Sequence, residues 1–203
     1  MVTIEKLFID LKTHRLESML SRPAGPSKGA CVFCHPHPHH GGDMYNKVVV
    51  KTAEVLLEER FAVLRFNMRG VGRSTGEMPD HETAREDLAA VMQWMMERSG
   101  PLVLAGYSYG AFIALSYLAS EEPLPVGRIL CIAYPASMPG YHLSRMPDVP
   151  MRFVHGTRDE LVPAVQMKQF LRTYRKDQSV VWVEGANHTF DGKLEELKEA
   201  CRL

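Results

Sequence analysis

Short, uninterrupted apolar segments alternate along this chain with segments of helical periodicity, and this alternation constrains the fold more than any other feature. The apolar segments are ACVFC, FAVLRF, LVLAG, ILCIAY, MRFV and VVWV. Such segments are typical of strands that are buried on both faces of a parallel sheet. Because crossover connections between parallel strands are right-handed, the pattern predicts a doubly wound, mostly parallel α/β sheet whose ligand site lies at the carboxyl ends of the strands.

The segments before and between these strands predict the remaining elements. TIEKLFIDL and RLESMLSRP, separated by the polar turn Lys12-Thr13-His14, predict an antiparallel hairpin at the start of the sheet. Thr83, with Glu86 three residues later, predicts a capping box at the start of a helix. Three helical segments each have one apolar face, formed by Leu88, Val91, Met92 and Met95, by Met167, Phe170, Leu171 and Tyr174 after Pro163, and by Leu194, Leu197 and Cys201.

Size and charge limit the classes of function. A chain of 203 residues, 45% of them hydrophobic, can bury a core of its own, so residues 1–203 are predicted to form a single domain. The 24 acidic residues balance the 24 lysines and arginines, and this neutral total lacks the basic excess that binds nucleic acids or anionic membranes. No segment approaches the roughly 18 apolar residues of a membrane helix. We therefore expect a small-molecule partner rather than a nucleic acid or a membrane.

The cysteines indicate a reducing compartment. Cys31, Cys34, Cys131 and Cys201 lie mostly within apolar segments, which favours buried thiols over a disulfide framework. The N-terminal sequence MVTIEKLFID carries acids where a signal peptide carries basic and then apolar residues. We expect a cytoplasmic location.

A candidate nucleophile stands at the start of one helical segment. Gly106-Tyr107-Ser108-Tyr109-Gly110 is a G-x-S-x-G sequence that follows the apolar segment LVLA and opens the helical segment AFIALSYLAS. In this context the motif predicts a sharp strand-to-helix turn that exposes the serine hydroxyl, and the flanking glycines leave room for the turn. We interpret Ser108 as a nucleophile.

An acid and a base follow later strands, as an activated serine requires. MRFV leads into a polar loop that contains Asp159, and VVWV leads into a loop that contains His188. The order serine, acid, histidine is the order of this motif's catalytic triad. Glu160 is the nearest alternative to Asp159 as the acid, and His155 is the nearest alternative to His188 as the base.

Four histidines lie between His35 and His40, in the sequence HPHPHH that follows ACVFC. One interpretation makes this the loop that supplies a backbone N–H to the oxyanion hole, together with the N–H of Tyr109. Proline has no N–H, so the donor is His37, our choice, or His39. The other interpretation is a zinc or iron site, because imidazole binds these metals well and the pattern resembles H-x-H-x-D-H. Against it, histidine replaces the acid of that pattern.

The glycine-rich segment Arg69–Gly76 does not predict a cofactor site. Its spacing, G-x-G-x-x-x-G, is one residue longer than the dinucleotide-binding fingerprint, and no helical segment follows it directly. We interpret it as a loop held in place by Asn67 and Arg69, and we expect no cofactor.

These motifs together resemble the α/β-hydrolase family over nearly the whole chain. GYSYG, HGTRDELVP and GANHTF resemble the family's three catalytic segments in order, and RFNMRGVGRSTG resembles its R-G-x-G-x-S loop. HPHPHHGGDMYNKVV resembles the HPHP…GG loop of small bacterial members related in shape to dienelactone hydrolases. The connection from Pro135 to Pro150, where many members insert a cap, is too short to hold one.

The resemblance implies an α/β-hydrolase fold without a cap domain and a serine hydrolase that cleaves small esters or thioesters. It implies that Ser108 is the nucleophile, His188 the base, Asp159 its orienting acid, and the amides of Tyr109 and His37 the oxyanion donors. Two alternatives stay open at this point. One is a metal-dependent hydrolase that uses His35–His40, and the other is a non-catalytic binding protein of the same fold.

Overall fold

Each apolar segment of the sequence forms a strand in the computed structural model, which describes residues 1–136, 138–173 and 178–203. The strands are β1 (Thr3–Asp10), β2 (Arg15–Arg22), β3 (Gly29–Cys34), β4 (Phe61–Phe66), β5 (Leu102–Tyr107), β6 (Arg128–Ile132), β7 (Met151–Gly156) and β8 (Gln178–Val183). The helices are α1 (Lys47–Glu58), α2 (His81–Met96), α3 (Tyr109–Leu118), α4 (Ala164–Thr173) and α5 (Leu194–Ala200).

The strands form one sheet in the order β1-β2-β4-β3-β5-β6-β7-β8. The pairs β1–β2 and β2–β4 are antiparallel and all the others are parallel. The predicted mostly parallel, doubly wound sheet with a leading hairpin is therefore confirmed. Because β3 to β8 run in one direction, the loops that follow them meet at a single edge of the sheet.

Helices cover both faces of the sheet. The core on one face includes buried residues of α2, α3 and α4, and the core on the other face includes buried residues of α1 and α5. The apolar face predicted for α2 is buried. On the face predicted for α5, Leu197 and Cys201 are buried and Leu194 is half-buried. Tyr174, predicted on the face of α4, lies outside the described residues.

The predicted capping box at Thr83 is wrong by one helical turn. Asp80 is the N-cap of α2: its carboxylate accepts the Thr83 N–H at 2.8 Å, and the Thr83 hydroxyl accepts the Asp80 N–H at 3.0 Å. Thr83 is therefore the third residue inside the helix. Asp80 and Thr83 each accept the other's backbone N–H, as the serine and the glutamate of a capping box do. The sequence therefore allows a helix start at Asp80 as well as at Thr83.

The loop after β4 is held as the sequence predicts. The Asn67 side chain donates to the Glu17 carboxylate at 2.9 Å and accepts the Met44 N–H at 2.8 Å. Arg69 donates from Nε and Nη2 to the buried carboxylate of Asp87 at 2.9 and 2.7 Å. These bonds fix the loop against β2 and α2.

No cap domain is present in the described residues, as the short connection predicts. Residues 133–136 and 138–150, which join β6 to β7, contain neither a helix nor a strand. The four cysteines are buried free thiols, as expected. Within the described residues, no helix is long and apolar enough to span a membrane.

Candidate active site

Ser108 stands on a strained turn between β5 and α3. Its backbone has φ 53° and ψ −119°, a conformation that costs a non-glycine residue about 1–3 kcal/mol. A Cβ on Gly106 would lie 2.3 Å from the Gly110 oxygen, and a Cβ on Gly110 would lie 2.1 Å from the Cys34 oxygen. The glycines on both sides therefore let the turn close and leave the Ser108 hydroxyl at the carboxyl edge of the sheet.

The structure brings the three predicted side chains into one hydrogen-bonded chain. His188 Nε2 lies 3.0 Å from Ser108 Oγ, and His188 Nδ1 lies 2.8 Å from Asp159 Oδ2. A carboxylate only accepts, so Nδ1 carries the imidazole proton and Nε2 is the acceptor for the serine hydroxyl. Asp159 and His188 are 3% and 5% exposed. This arrangement can deprotonate a serine hydroxyl.

Several hydrogen-bond donors stabilise the ionised carboxylate of Asp159. Its Oδ1 accepts the N–H groups of Leu161 at 3.0 Å and Val162 at 2.8 Å, which leaves Oδ2 for His188. Burial by itself would raise the pKa of Asp159, but the hydrogen bond and charge of His188 and the Val162 N–H outweigh burial, and the pKa is lowered. Asp159 therefore stays ionised at neutral pH.

The backbone N–H and the backbone carbonyl of His188 are both hydrogen-bonded by side chains for which the sequence predicted no such role. The Tyr107 hydroxyl donates to the His188 carbonyl at 3.0 Å, and the Glu160 carboxylate accepts the His188 N–H at 3.3 Å. Glu160, the alternative acid, thus contacts the backbone of His188. Tyr107 lies beside the serine in the motif, but nothing local in the sequence indicates where its hydroxyl points.

His155, the alternative base, is fully buried and forms a hydrogen bond with the loop that contains Asp159. Its Nε2 donates to the Val162 carbonyl at 2.8 Å and lies 3.6 Å from Asp159 Oδ2. Burial lowers the pKa of His155, so its ring stays neutral. It packs behind Asp159, whereas His188 makes the contact with Ser108.

The backbone N–H groups of Tyr109, which follows Ser108, and of His37, whose ring packs on Tyr109, lack an acceptor in the described part of the chain. Tyr109 is the first residue of α3, where helix N–H groups have no partner within the helix. The His39 N–H, the alternative donor, instead donates to His37 Nδ1 at 3.2 Å. The His37 and Tyr109 rings pack 4.5 Å apart, which places the two loops in contact.

The histidine cluster does not converge on one point. His35 is buried and uses both ring nitrogens within the protein, since Nδ1 lies 2.7 Å from the Pro36 carbonyl and Nε2 accepts the Met68 N–H at 3.1 Å. His37 Nδ1 accepts from the loop backbone. Among residues 1–136, 138–173 and 178–203, no group of three or more histidine, cysteine or acidic side chains is arranged to hold a metal ion.

His35 should make the stability of the protein depend on pH. Burial, opposed only in part by the Pro36 hydrogen bond, lowers its pKa from 6.5 to about 4. Between these values the unfolded chain binds the proton and the folded chain does not, so stability is full above pH 6.5 and falls as the pH drops toward 4. The shift corresponds to about 3 kcal/mol.

We expect urea unfolding at pH 7, 6, 5 and 4.5 to give a falling free energy of unfolding. His35→Gln should be less stable at pH 7 but lose less stability on acidification, because the group that titrates is gone. Equal pH slopes for the two proteins would contradict this account.

The comparisons with known proteins agree with the fold. Residues 32–147 match the family described as alpha/beta hydrolase fold. An alpha-beta serine hydrolase homologue from Coxiella burnetii is 36% identical with a TM-score of 0.90, and the match covers 98% of this chain and 95% of that one. A serine hydrolase without a lid from Xanthomonas campestris is 29% identical, with a TM-score of 0.88 over 98% of this chain and 92% of that one.

The dienelactone hydrolase of Anabaena variabilis is 19% identical, with a TM-score of 0.78, over 99% of this chain and 95% of that one. At this identity the likeness concerns the fold, and it agrees with the shape that the HPHP…GG loop predicts. The family match and the lidless relatives lead to one conclusion: this chain belongs to the α/β-hydrolase family and is a small, lidless member of it.

Proposed function

We propose that this protein is a serine hydrolase that cleaves small carboxylic esters or thioesters through an acyl-enzyme. The observation that carries the proposal is the position of His188, whose ring bridges Ser108 Oγ at 3.0 Å and Asp159 Oδ2 at 2.8 Å. In this proposal Ser108 is the nucleophile, His188 the general base and then acid, and Asp159 the group that orients His188.

The reaction proceeds in two halves. Ser108 Oγ attacks the substrate carbonyl carbon while its proton passes to His188 Nε2, and the N–H groups of Tyr109 and His37 donate to the oxyanion that forms. The leaving group takes the proton from His188 and departs, which leaves an ester on Ser108. Water then attacks this ester, with His188 again accepting the proton, and releases the acid. These steps use neither a metal ion nor a cofactor.

Labelling with a fluorophosphonate tests the proposal without knowledge of the substrate. An activated serine displaces fluoride and keeps the phosphonyl group, so mass spectrometry of the digested adduct locates the nucleophile. We expect the label on the peptide that contains Ser108, and no label on heat-denatured protein. A label on another serine would contradict the assignment, and no label at all would favour a non-catalytic binding protein.

The absence of a cap predicts a preference for short acyl chains. The connection from β6 to β7 adds no helix or strand over the site in its described residues, so a long chain would remain in water and forgo about 0.8 kcal/mol of binding per methylene. We expect p-nitrophenyl esters of roughly two to six acyl carbons to have higher kcat/KM than longer ones, without activation at lipid interfaces. A preference for about twelve or more carbons would indicate a deep pocket, for example one formed by Tyr109 and Tyr141.

We also infer that the protein works in the cytoplasm. The support is that all four cysteines are free and buried, which is typical of reducing compartments. A cysteine-modification assay on protein isolated from its native cell would test this inference, with four modifiable thiols expected after unfolding.

A further inference from the structure

Two neighbouring cavities lie along α3, and the first begins at Tyr109, the residue that follows the candidate nucleophile. This cavity, about 480 Å³, is lined by His37 and Tyr109 and, from the start of α2, by Arg85 and His81 and the exposed acids Asp80 and Glu82. The second, about 260 Å³, is also lined by Arg85 and His81. The same two side chains line both cavities, so Arg85 can contact a molecule in either of them.

Arg85 is a half-buried cation without an ion-pair partner among the described residues. The nearby acids are engaged elsewhere or point to solvent. The Asp80 carboxylate accepts the Thr83 N–H, and the Glu86 carboxylate lies 3.2 Å from Arg69. Glu82 is exposed. A guanidinium that no carboxylate pairs with inside the protein can pair with an anionic ligand, so a group that supplies the opposite charge can bind here.

The second cavity has the composition of an anion site. Besides Arg85, the polar side chains on its wall belong to His81, Ser116, His142 and Ser144. The Ser116 hydroxyl donates to the Ile113 carbonyl at 3.0 Å, and the other three side chains can donate to a ligand. No carboxylate is among the described residues that line this cavity. An anion there would meet a cation and several donors, and no like charge.

The two cavities lie a short distance apart along α3. Tyr109 lines the first, and Phe112 and Ser116 line the second. These residues lie on one face of the helix, three and seven positions apart, which is about 4.5 and 10 Å along its axis. Part of the wall is aromatic, because His81 and Phe112 both line the second cavity and their rings are 5.0 Å apart.

We propose that the second cavity is the subsite for a carboxylate on the substrate, and that Arg85 binds this carboxylate. This inference rests on the proposed function: it assigns the substrates of Ser108 to the class of acid-bearing esters. The planar guanidinium presents paired N–H donors that match the two oxygens of a carboxylate. The aromatic wall covers the apolar part of the substrate between its carboxylate and its ester carbonyl.

Matched substrates and variants test the proposal. The mono-p-nitrophenyl ester of glutaric acid carries the carboxylate on the acyl side, 4-acetoxybenzoate carries it on the leaving group, and p-nitrophenyl pentanoate is the neutral control. We expect the wild-type protein to prefer one of the charged esters. Arg85→Gln should lower kcat/KM for that ester by roughly 10- to 100-fold, the range expected for a lost charge-assisted bond, mainly through KM.

Further measurements sharpen the result. Arg85→Gln should lower kcat/KM for the neutral ester far less than for the charged ester, Arg85→Lys should lose part of the preference, and Arg172→Gln, which removes an exposed cation on α4, should lose none of it. Glutarate should inhibit the wild-type protein competitively and Arg85→Gln much less. Stronger inhibition by inorganic phosphate than by glutarate would overturn the assignment of a carboxylate.

The failure of this inference and the failure of the proposed function give different results. If Ser108 takes the fluorophosphonate label but Arg85→Gln changes the charged and neutral esters equally, the carboxylate subsite is wrong and the serine hydrolase stands. If Ser108 takes no label and no ester is hydrolysed, the proposed function itself is wrong.

Discussion

Ser108→Ala is expected to abolish ester hydrolysis and fluorophosphonate labelling, with a loss in kcat on the order of 10⁴ to 10⁶. The hydroxyl is the atom that forms the acyl-enzyme, and neither His188 nor the two free amides can replace it. Alanine keeps the Cβ and occupies the same positive φ of 53°, so the turn is not altered and the variant should fold. Steady-state hydrolysis of p-nitrophenyl butyrate and intact-mass analysis of the labelled protein measure the effect.

Ser120→Ala is the matched control for this variant. The Ser120 hydroxyl donates to the Tyr117 carbonyl at the end of α3, away from the strained turn. Its removal should leave both activity and labelling intact. If Ser108→Ala retained more than a few per cent of the wild-type rate while its far-ultraviolet circular dichroism was unchanged, Ser108 would not be the nucleophile.

Asp159→Asn is expected to lower kcat on the order of 10⁴, by analogy with other triads. An amide in place of the carboxylate can donate to His188 Nδ1, which moves the imidazole proton to Nε2 and removes the acceptor that faces Ser108. Glu160→Gln should cost little, because its amide oxygen can still accept the His188 N–H that Glu160 accepts at 3.3 Å. Comparison of the pH–rate profiles of the two variants separates the roles.

The opposite ranking, with Glu160→Gln far more damaging than Asp159→Asn, would reassign the acid. Because the Asp159 carboxylate also accepts two backbone N–H groups, Asp159→Asn can lower stability as well as activity. Thermal unfolding of both variants should therefore accompany the kinetics. A loss of activity that follows unfolding, and disappears well below the transition, would contradict a role in orienting His188.

Much of the fold could be predicted from the sequence because the signals are local. Continuous apolar segments predict the parallel strands, and each one is a strand of the sheet. The hairpin of β1 and β2 follows from two segments that flank a three-residue polar turn. The cap of α2 could not be placed in the same way, because Asp80 and Thr83 both suit a helix start and only the backbone path selects between them.

The candidate site was predictable in part for a related reason. The parallel sheet brings the loops after β5, β7 and β8 to one edge, so Ser108, Asp159 and His188 meet although 80 residues separate the serine from the histidine. The strained turn at Ser108 is predictable from local sequence, because it requires glycines two positions away on either side. Nothing in the sequence indicates a role for Arg85, because a single arginine on a helix is common. That it lacks an ion-pair partner among the described residues is visible only in the structure.

The sequence alone determined which segments form the strands, where the strained turn lies and which loops reach the same edge of the sheet. These properties depend on short-range periodicity, on steric limits near Ser108 and on the direction of parallel strands. The tertiary structure alone decided which neighbouring group makes each contact: His188 rather than His155 on Ser108, and Asp159 rather than Glu160 on the imidazole. It also decided that His37 Nδ1 accepts the His39 N–H, whereas the His37 N–H has no acceptor among the described residues. The physical reason is that a hydrogen bond depends on distances of a few tenths of an ångström and on direction, and packing between segments far apart in the chain sets both.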